Sequence, residues 1–429
     1  MAAPFNPVIF VPGILGTELR DTYPVDPRTV FSSRTMMPLM DKLTEDYERI
    51  ALHPDDRRYE RVEPARVQED RVISMIYEEF ILELRHSLSK DPHLPVPVYP
   101  FPYDWRQPLE TSEDRLEAFI DEVQNRTALM RHYAGSAWKK TRKVNLAGHS
   151  MGGLMIAGLL ARKPDIAKRI GKVATIGTPY QGSVEAIAKI CMGTSTLGAD
   201  GSSSREREAA RLTPSLYYLL PSFKGAVEKD AVDLFDAGSW QLGVLETLKR
   251  YLNTYSVKFE GNATIVHSRA LLTEMLEPAE AHRQRIAAVG GVPGELGAEN
   301  WLAIAGIGAE TRTSVGAGKT PEGNPFFDFP EPKKDGGDNT VPLAGAKPTF
   351  LDSKQLVAVS RSDFTFGEIG NRLLSSGIGL HASLPAMNLV QRLVVSMFQG
   401  DLEGNPGGRP MPGVTREQWS PPHKLKINT

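Results

Sequence analysis

Short, uninterrupted apolar runs recur along the chain and stop abruptly at glycine or proline. Pro7-Val8-Ile9-Phe10-Val11 ends at Pro12-Gly13, the run at 143–147 ends at Gly148, and Lys172-Val173-Ala174-Thr175-Ile176 ends at Gly177-Thr178-Pro179. Two more follow at Trp301-Leu302-Ala303-Ile304-Ala305-Gly306 and Leu356-Val357-Ala358-Val359. Runs this short, without polar alternation, predict strands buried on both faces. Between them lie segments with helical spacing: Val72–Ser87, Leu116–Met130, Gly153–Ala161 and Leu384–Phe398. Strands alternating with helices predict an α/β fold with a mostly parallel, doubly wound sheet.

Three stretches fall outside that rhythm. Residues 20–70 are polar and rich in Asp, Arg and Pro, interrupted by Met36-Met37-Pro38-Leu39-Met40, and Pro92–Pro102 is a proline-rich approach to Tyr103-Asp104-Trp105-Arg106. Residues 183–297 carry a Gly/Ser-rich break (Gly198–Ser204), several helical stretches and no core strand until about 263. The expected division is a core in two parts, 1–182 and 298–399, a large, mainly helical cap at 183–297, and a Pro/Gly-rich tail at 400–429 that wraps loosely over the surface. No internal repeat is visible.

The chemistry concentrates at Gly148-His149-Ser150-Met151-Gly152. A β-prone run leading into Gly-x-Ser-x-Gly, with an apolar helix behind it, is the nucleophile-elbow pattern of α/β-hydrolases. The glycines leave space for a tight strand-to-helix turn, and the helix start offers free N–H groups to an oxyanion. A serine hydroxyl needs a base, and the base needs an acid to fix its tautomer. In this fold the acid and then the histidine follow the serine, each after a core strand. Of nine histidines only His381 and His423 lie beyond the strands at 302 and 356, and His423 sits in the proline-rich tail. His381 is therefore the candidate base. Asp338, in Asp335-Gly336-Gly337-Asp338-Asn339-Thr340-Val341-Pro342, is the candidate acid, with Asp335 the alternative. The N–H groups of Met151 and Ile14 are the expected oxyanion donors.

Other chemistry recedes. Gly316-Ala317-Gly318-Lys319-Thr320 lacks the first glycine of a phosphate loop, which would fall at Thr313. No His-Glu-x-x-His or paired-cysteine pattern points to a metal, and no cofactor motif stands out. A net charge of −2 over 429 residues argues against nucleic acid as the main partner. The single cysteine, Cys191, permits no intramolecular disulfide and reads as a buried apolar-like residue. The first residues, Met1-Ala2-Ala3-Pro4-Phe5-Asn6, lack a basic then apolar leader, and no apolar run approaches the roughly 20 residues of a spanning helix. A cytoplasmic protein is the expectation, with export that reads no such leader left open.

With these pieces in place the chain resembles the lecithin:cholesterol acyltransferase family, which includes lysosomal phospholipase A2-like enzymes. The resemblance runs through Pro7–Thr17, Tyr103-Asp104-Trp105-Arg106, Gly148–Gly152, Gly177–Ser183, Pro214–Pro221, Gly337–Val341 and His381. It implies Ser150 as nucleophile, Asp338 as acid, His381 as base and the amides of Ile14 and Met151 as oxyanion donors. It also implies a serine acyl hydrolase or O-acyltransferase that acts on a lipid ester, a glycerophospholipid first, and touches a membrane surface transiently. A neutral-ester lipase or lipid-anchor deacylase is the alternative enzyme; a binding or regulatory protein on a hydrolase scaffold is the alternative of another class. Asn339 departs from the family, which has glycine there, and the animal enzymes' cysteine pairs and secretion signal are absent.

Overall fold

The computed structural model describes residues 5–32, 47–62, 65–193, 204–228, 232–364, 379–400, 407–422 and 425–427. The methionine cluster at 36–40, most of the Gly/Ser-rich break at 198–204 and His423 lie outside them. Six strands form one sheet in the order Val357–Ser360, Trp301–Ile307, Ile170–Ile176, Val144–His149, Val8–Val11, Val98–Pro100, and every neighbouring pair is parallel. Alternate residues feed two cores. Ile9, Val11 and Leu146 join one cluster, while Val8, Phe10 and Ala147 join the other. Helices Ser74–Leu88 and Asn388–Gln399 supply the second cluster. Helices Leu109–Ala128 and Met151–Arg162, with most of 183–297, supply the first. Burial on both faces is why these strands read as continuous apolar runs.

This strand order has one switch point. From Val8–Val11 the chain goes outward to the edge strand Val98–Pro100, then crosses back to Val144–His149 and proceeds the other way. The crevice at the carboxyl ends of Val8–Val11 and Val144–His149 is where an open α/β sheet offers a binding site. Pro12–Gly16 and Ser150 both emerge there.

Several elements differ from the sequence expectations, each for a local reason. Val98–Pro100, inside the proline-rich approach, is a strand, tolerated because it is the sheet edge. The polar stretch at 20–70 contributes to a three-stranded antiparallel sheet, Arg28–Phe31, Thr17–Asp21 and Val67–Val72. Its charges are absorbed by pairs such as Arg20–Asp70 and Arg49–Asp21. The β-branched residues near 263 open the helix Ile265–Ala287. The amphipathic helix starts at Leu109, directly after Pro108, and the last helix starts at Asn388, after a short turn that contains Pro385. The Gly316–Lys319 segment is one strand of a hairpin with Pro325–Asp328, not a phosphate loop. The tail is tied down, since Ala358 N–H donates to the Arg409 carbonyl at 2.8 Å and Met411 is buried.

Between strands Ile170–Ile176 and Trp301–Ile307 the described residues are helical or irregular. The longest helix there, Ile265–Ala287, packs against Met151–Arg162 and is tied to Leu109–Ala128 by the pairs His282–Glu113 and Arg285–Glu110. Leu216–Leu220 is buried in the first core cluster.

Candidate active site

Ser150 joins the elbow strand to its helix at φ 53°, ψ −126°. A non-glycine residue at positive φ is held there only by strong surroundings. The surroundings are tight enough to require glycine nearby. A Cβ on Gly152 would stand 2.3 Å from the Val11 carbonyl oxygen, and one on Gly13 would stand 2.9 Å from Ser150 Cβ.

The two sequence-predicted partners converge on this serine. Ser150 Oγ lies 2.9 Å from His381 Nε2, and His381 Nδ1 lies 2.7 Å from Asp338 Oδ2. The carboxylate can only accept, so Nδ1 carries the ring proton and Nε2 is left to receive the serine's. Asp338 Oδ1 accepts from the N–H groups of Thr340 at 3.0 Å and Val341 at 2.7 Å, and its carbonyl accepts from His381 N–H at 2.9 Å. Gly306, near the end of its strand, makes room: a Cβ there would sit 2.6 Å from Asp338 Cβ. All three side chains are buried, His381 the most accessible at 9%. Asp335 is exposed, at positive φ, and does not contact His381.

The amides of Ile14 and Met151 have no acceptor among the described residues. Met151 is the first residue of the elbow helix, so its N–H has no partner within the helix. Ile14 sits in a loop clamped from several sides. Tyr103 Oη donates to the Pro12 carbonyl at 3.1 Å, and Gly13 N–H donates to Tyr77 Oη at 3.1 Å. Trp105 Nε1 donates to the Thr17 carbonyl at 3.1 Å. The Tyr-Asp-Trp-Arg block thus braces the loop through its aromatic residues. Its charged residues form a buried pair, with Arg106 bonded at 2.8 Å to each Asp104 oxygen.

Asn339 gives its departure from glycine a structural content. It sits at φ 82°. Its Oδ1 accepts from Leu380 N–H at 2.8 Å, one residue before His381, while its Nδ2 donates to the Glu310 carbonyl at 3.1 Å. The acid loop is thereby stitched to the base-bearing turn. Sequence reasoning flagged Asn339 only as a departure and missed Tyr77, which sits in a helix with no motif around it. His149 occupies a variable position of the elbow motif, which gives it no signal of its own.

A hydroxyl in reach of an acid-supported imidazole, beside two unclaimed amides, can form and break an acyl-serine ester. Among known proteins, the lecithin:cholesterol acyltransferase family model matches residues 96–269, which hold Ser150 but neither Asp338 nor His381. Across that stretch the chain is similar to this family of α/β-hydrolases. A chain in the crystal structure of the Tle4–Tli4 complex aligns with a TM-score of 0.62 at 16% identity, covering 93% of this chain and 99% of that one. At that identity the likeness speaks for the fold. No curated protein matches the chain.

Proposed function

From a chain similar to the lecithin:cholesterol acyltransferases around its elbow, we propose a serine acyl hydrolase and O-acyltransferase acting on lipid esters, glycerophospholipids first. The observation that carries this reading is the hydrogen-bonded set Ser150–His381–Asp338 beside the free amides of Ile14 and Met151. Ser150 Oγ attacks the ester carbonyl as His381 Nε2 takes its proton, and Asp338 stabilises the imidazolium that forms. The oxyanion is received by the two amides, which are held in place before the substrate arrives. Collapse expels the alcohol, which takes the proton back from His381 and leaves an acyl group on Ser150. Water, or a lipid alcohol, is then deprotonated by His381 and removes the acyl group. Residues 183–297 act as the cap that shields the acyl chain from water, and contact with a membrane surface is transient. Water is the default acceptor, with added long-chain alcohols competing in part.

The test has two stages. A fluorophosphonate should label Ser150, identified by peptide mass spectrometry; no labelling would overturn the serine mechanism and leave a binding protein. Mixed phospholipid vesicles should then yield free fatty acid and lysophospholipid, with some transferred ester when a labelled alcohol is present. Cleavage of neutral esters alone would move the substrate class to that of a lipase or anchor deacylase.

A further inference from the structure

His149, directly before the candidate nucleophile, is buried and faces two elements at once. Its Nε2 lies 3.0 Å from the backbone carbonyl of His381, and its Nδ1 lies 2.9 Å from Tyr77 Oη. Tyr77 Oη in turn receives the N–H of Gly13 at 3.1 Å. The proton positions follow from the partners. A carbonyl can only accept, so His149 Nε2 must donate; the neutral ring then leaves Nδ1 as an acceptor. Tyr77 must therefore donate to Nδ1 while accepting from Gly13. Tyr77 Oη thus both donates and accepts, and both ring nitrogens of His149 have a partner.

We infer that Tyr77 and His149 are positioning residues for the proposed acyl transfer: they form one hydrogen-bonded strut from the oxyanion loop, through the nucleophile elbow, to the backbone of the base. This rests on the serine-acyl reading above. The three parts it joins come from distant points of the chain, at residues 13, 149 and 381, and Tyr77 belongs to a fourth element, the helix Ser74–Leu88. The strut stays neutral. Burial, with the neighbouring His381, holds the His149 imidazole well below its ordinary range, and burial pushes the Tyr77 phenol well above its own. The rings of His149 and His381 lie 4.9 Å apart, so a neutral His149 places no charge against the imidazolium that forms on His381 during turnover. Fixing loop and base against one another matters because misplacement by about 1 Å is enough to cost on the order of 100-fold in rate.

The experiment compares Tyr77→Phe and His149→Gln with wild type and with Tyr133→Phe. Tyr133 is an equally buried tyrosine whose Oη donates to the Phe5 carbonyl at 2.7 Å, at the opposite end of the sheet. Tyr77→Phe should lower kcat by roughly 10- to 100-fold with KM within about twofold. Affinity for a trifluoromethyl ketone, which presents an oxyanion, should fall in parallel, while binding of a non-hydrolysable ether analogue should hold. The double variant should lose little more than the worse single one, because both act through one strut. Wild-type kcat in Tyr77→Phe, additive losses in the double variant, or an equal kcat loss in Tyr133→Phe would each overturn the inference. Should the variants fold poorly, ¹⁵N NMR of histidine-labelled wild-type protein decides. His149 should remain the neutral Nε2–H tautomer from about pH 5 to about pH 9, and a titrating ring or an Nδ1–H tautomer would refute the strut. Wild-type protein that neither hydrolyses esters nor reacts with a fluorophosphonate would instead sink the underlying enzyme reading.

Discussion

The corner that holds Ser150 and the seam where the long helix Ile265–Ala287 meets the core are both buried, yet they are built from different interactions. At the corner the side chains that brace Ser150 and His381 are neutral and bond to backbone: Tyr103 to Pro12, Tyr77 to Gly13, His149 to His381, Asn339 to Leu380. At the seam carboxylates meet guanidinium groups and an imidazole. Glu113, fully buried, faces His282 Nε2 at 2.9 Å and Arg162 Nε at 2.7 Å, and Glu110 faces Arg285 at 2.7 Å. Arg283 is spent on the carbonyls of Tyr180, Tyr218 and Leu220, and burial lowers its pKa to about 10. Neutral braces put no charge of their own beside Ser150 and His381. An ionic seam fastens helices together, and removing one partner strands a buried charge. Damage to the corner should therefore appear in turnover, and damage to the seam in stability.

The sharpest separation comes from Ser150→Ala, which should lower ester turnover by about 10⁴-fold or more while leaving the melting temperature unchanged. Hydrolysis of a p-nitrophenyl ester and a thermal melt on the same preparation measure both. Activity above about a tenth of wild type would remove Ser150 from the chemistry. Glu113→Ala is the mirror experiment. It leaves the buried His282 Nε2 without its carboxylate and Arg162 with Asp114 alone, so urea unfolding should show a loss of about 1–3 kcal/mol, with kcat per folded molecule unchanged. A kcat loss without a stability loss would break the distinction between the regions.

Gly158→Ala tests the seam without removing a partner. The added Cβ would sit 2.1 Å from His282 Nε2 and 2.2 Å from Glu113 Oε1, an overpacking expected to cost about 1–3 kcal/mol. Asn339→Gly tests the corner on a similar scale. Glycine suits φ 82° and should move stability by less than about 1 kcal/mol, yet loss of the bond to Leu380 should lower kcat about tenfold. Unchanged kcat would mean that the stitch between acid loop and base turn has no part in the chemistry.

The smallest effect is a pH dependence. His149 is held well below its ordinary range by burial and by His381. The unfolded chain therefore binds a proton that the folded chain refuses, and stability falls as pH drops below about 6.5. At about pH 6 this group should cost about 0.7 kcal/mol relative to about pH 7, and His149→Gln should remove that part of the slope in urea titrations. Identical slopes would show that His149 takes up a proton in the folded protein.

The sequence by itself determined the parallel α/β architecture. Apolar runs such as Val8–Val11 and Trp301–Ile307 can be accommodated only by burial on both faces, and alternation with helices fixes their direction. It also selected Ser150, Asp338 and His381 as candidates, because fold order and the ends of strands leave few places for a serine's partners. Tertiary structure decided what has no local signature. The edge strand Val98–Pro100 is hidden by its prolines, the strands within 20–70 are masked by charges that find partners elsewhere, and the tail reads as loose until Arg409 meets Ala358. The contact that sets Asp338 apart from Asp335 likewise belongs to the fold, since the two lie in one loop and Asp338 is the one bonded to His381. Tyr77, His149 and Asn339 gain their roles from contacts with residues far away in sequence. A hydrogen bond across such a separation leaves no periodicity and no motif, so only the folded chain reveals it.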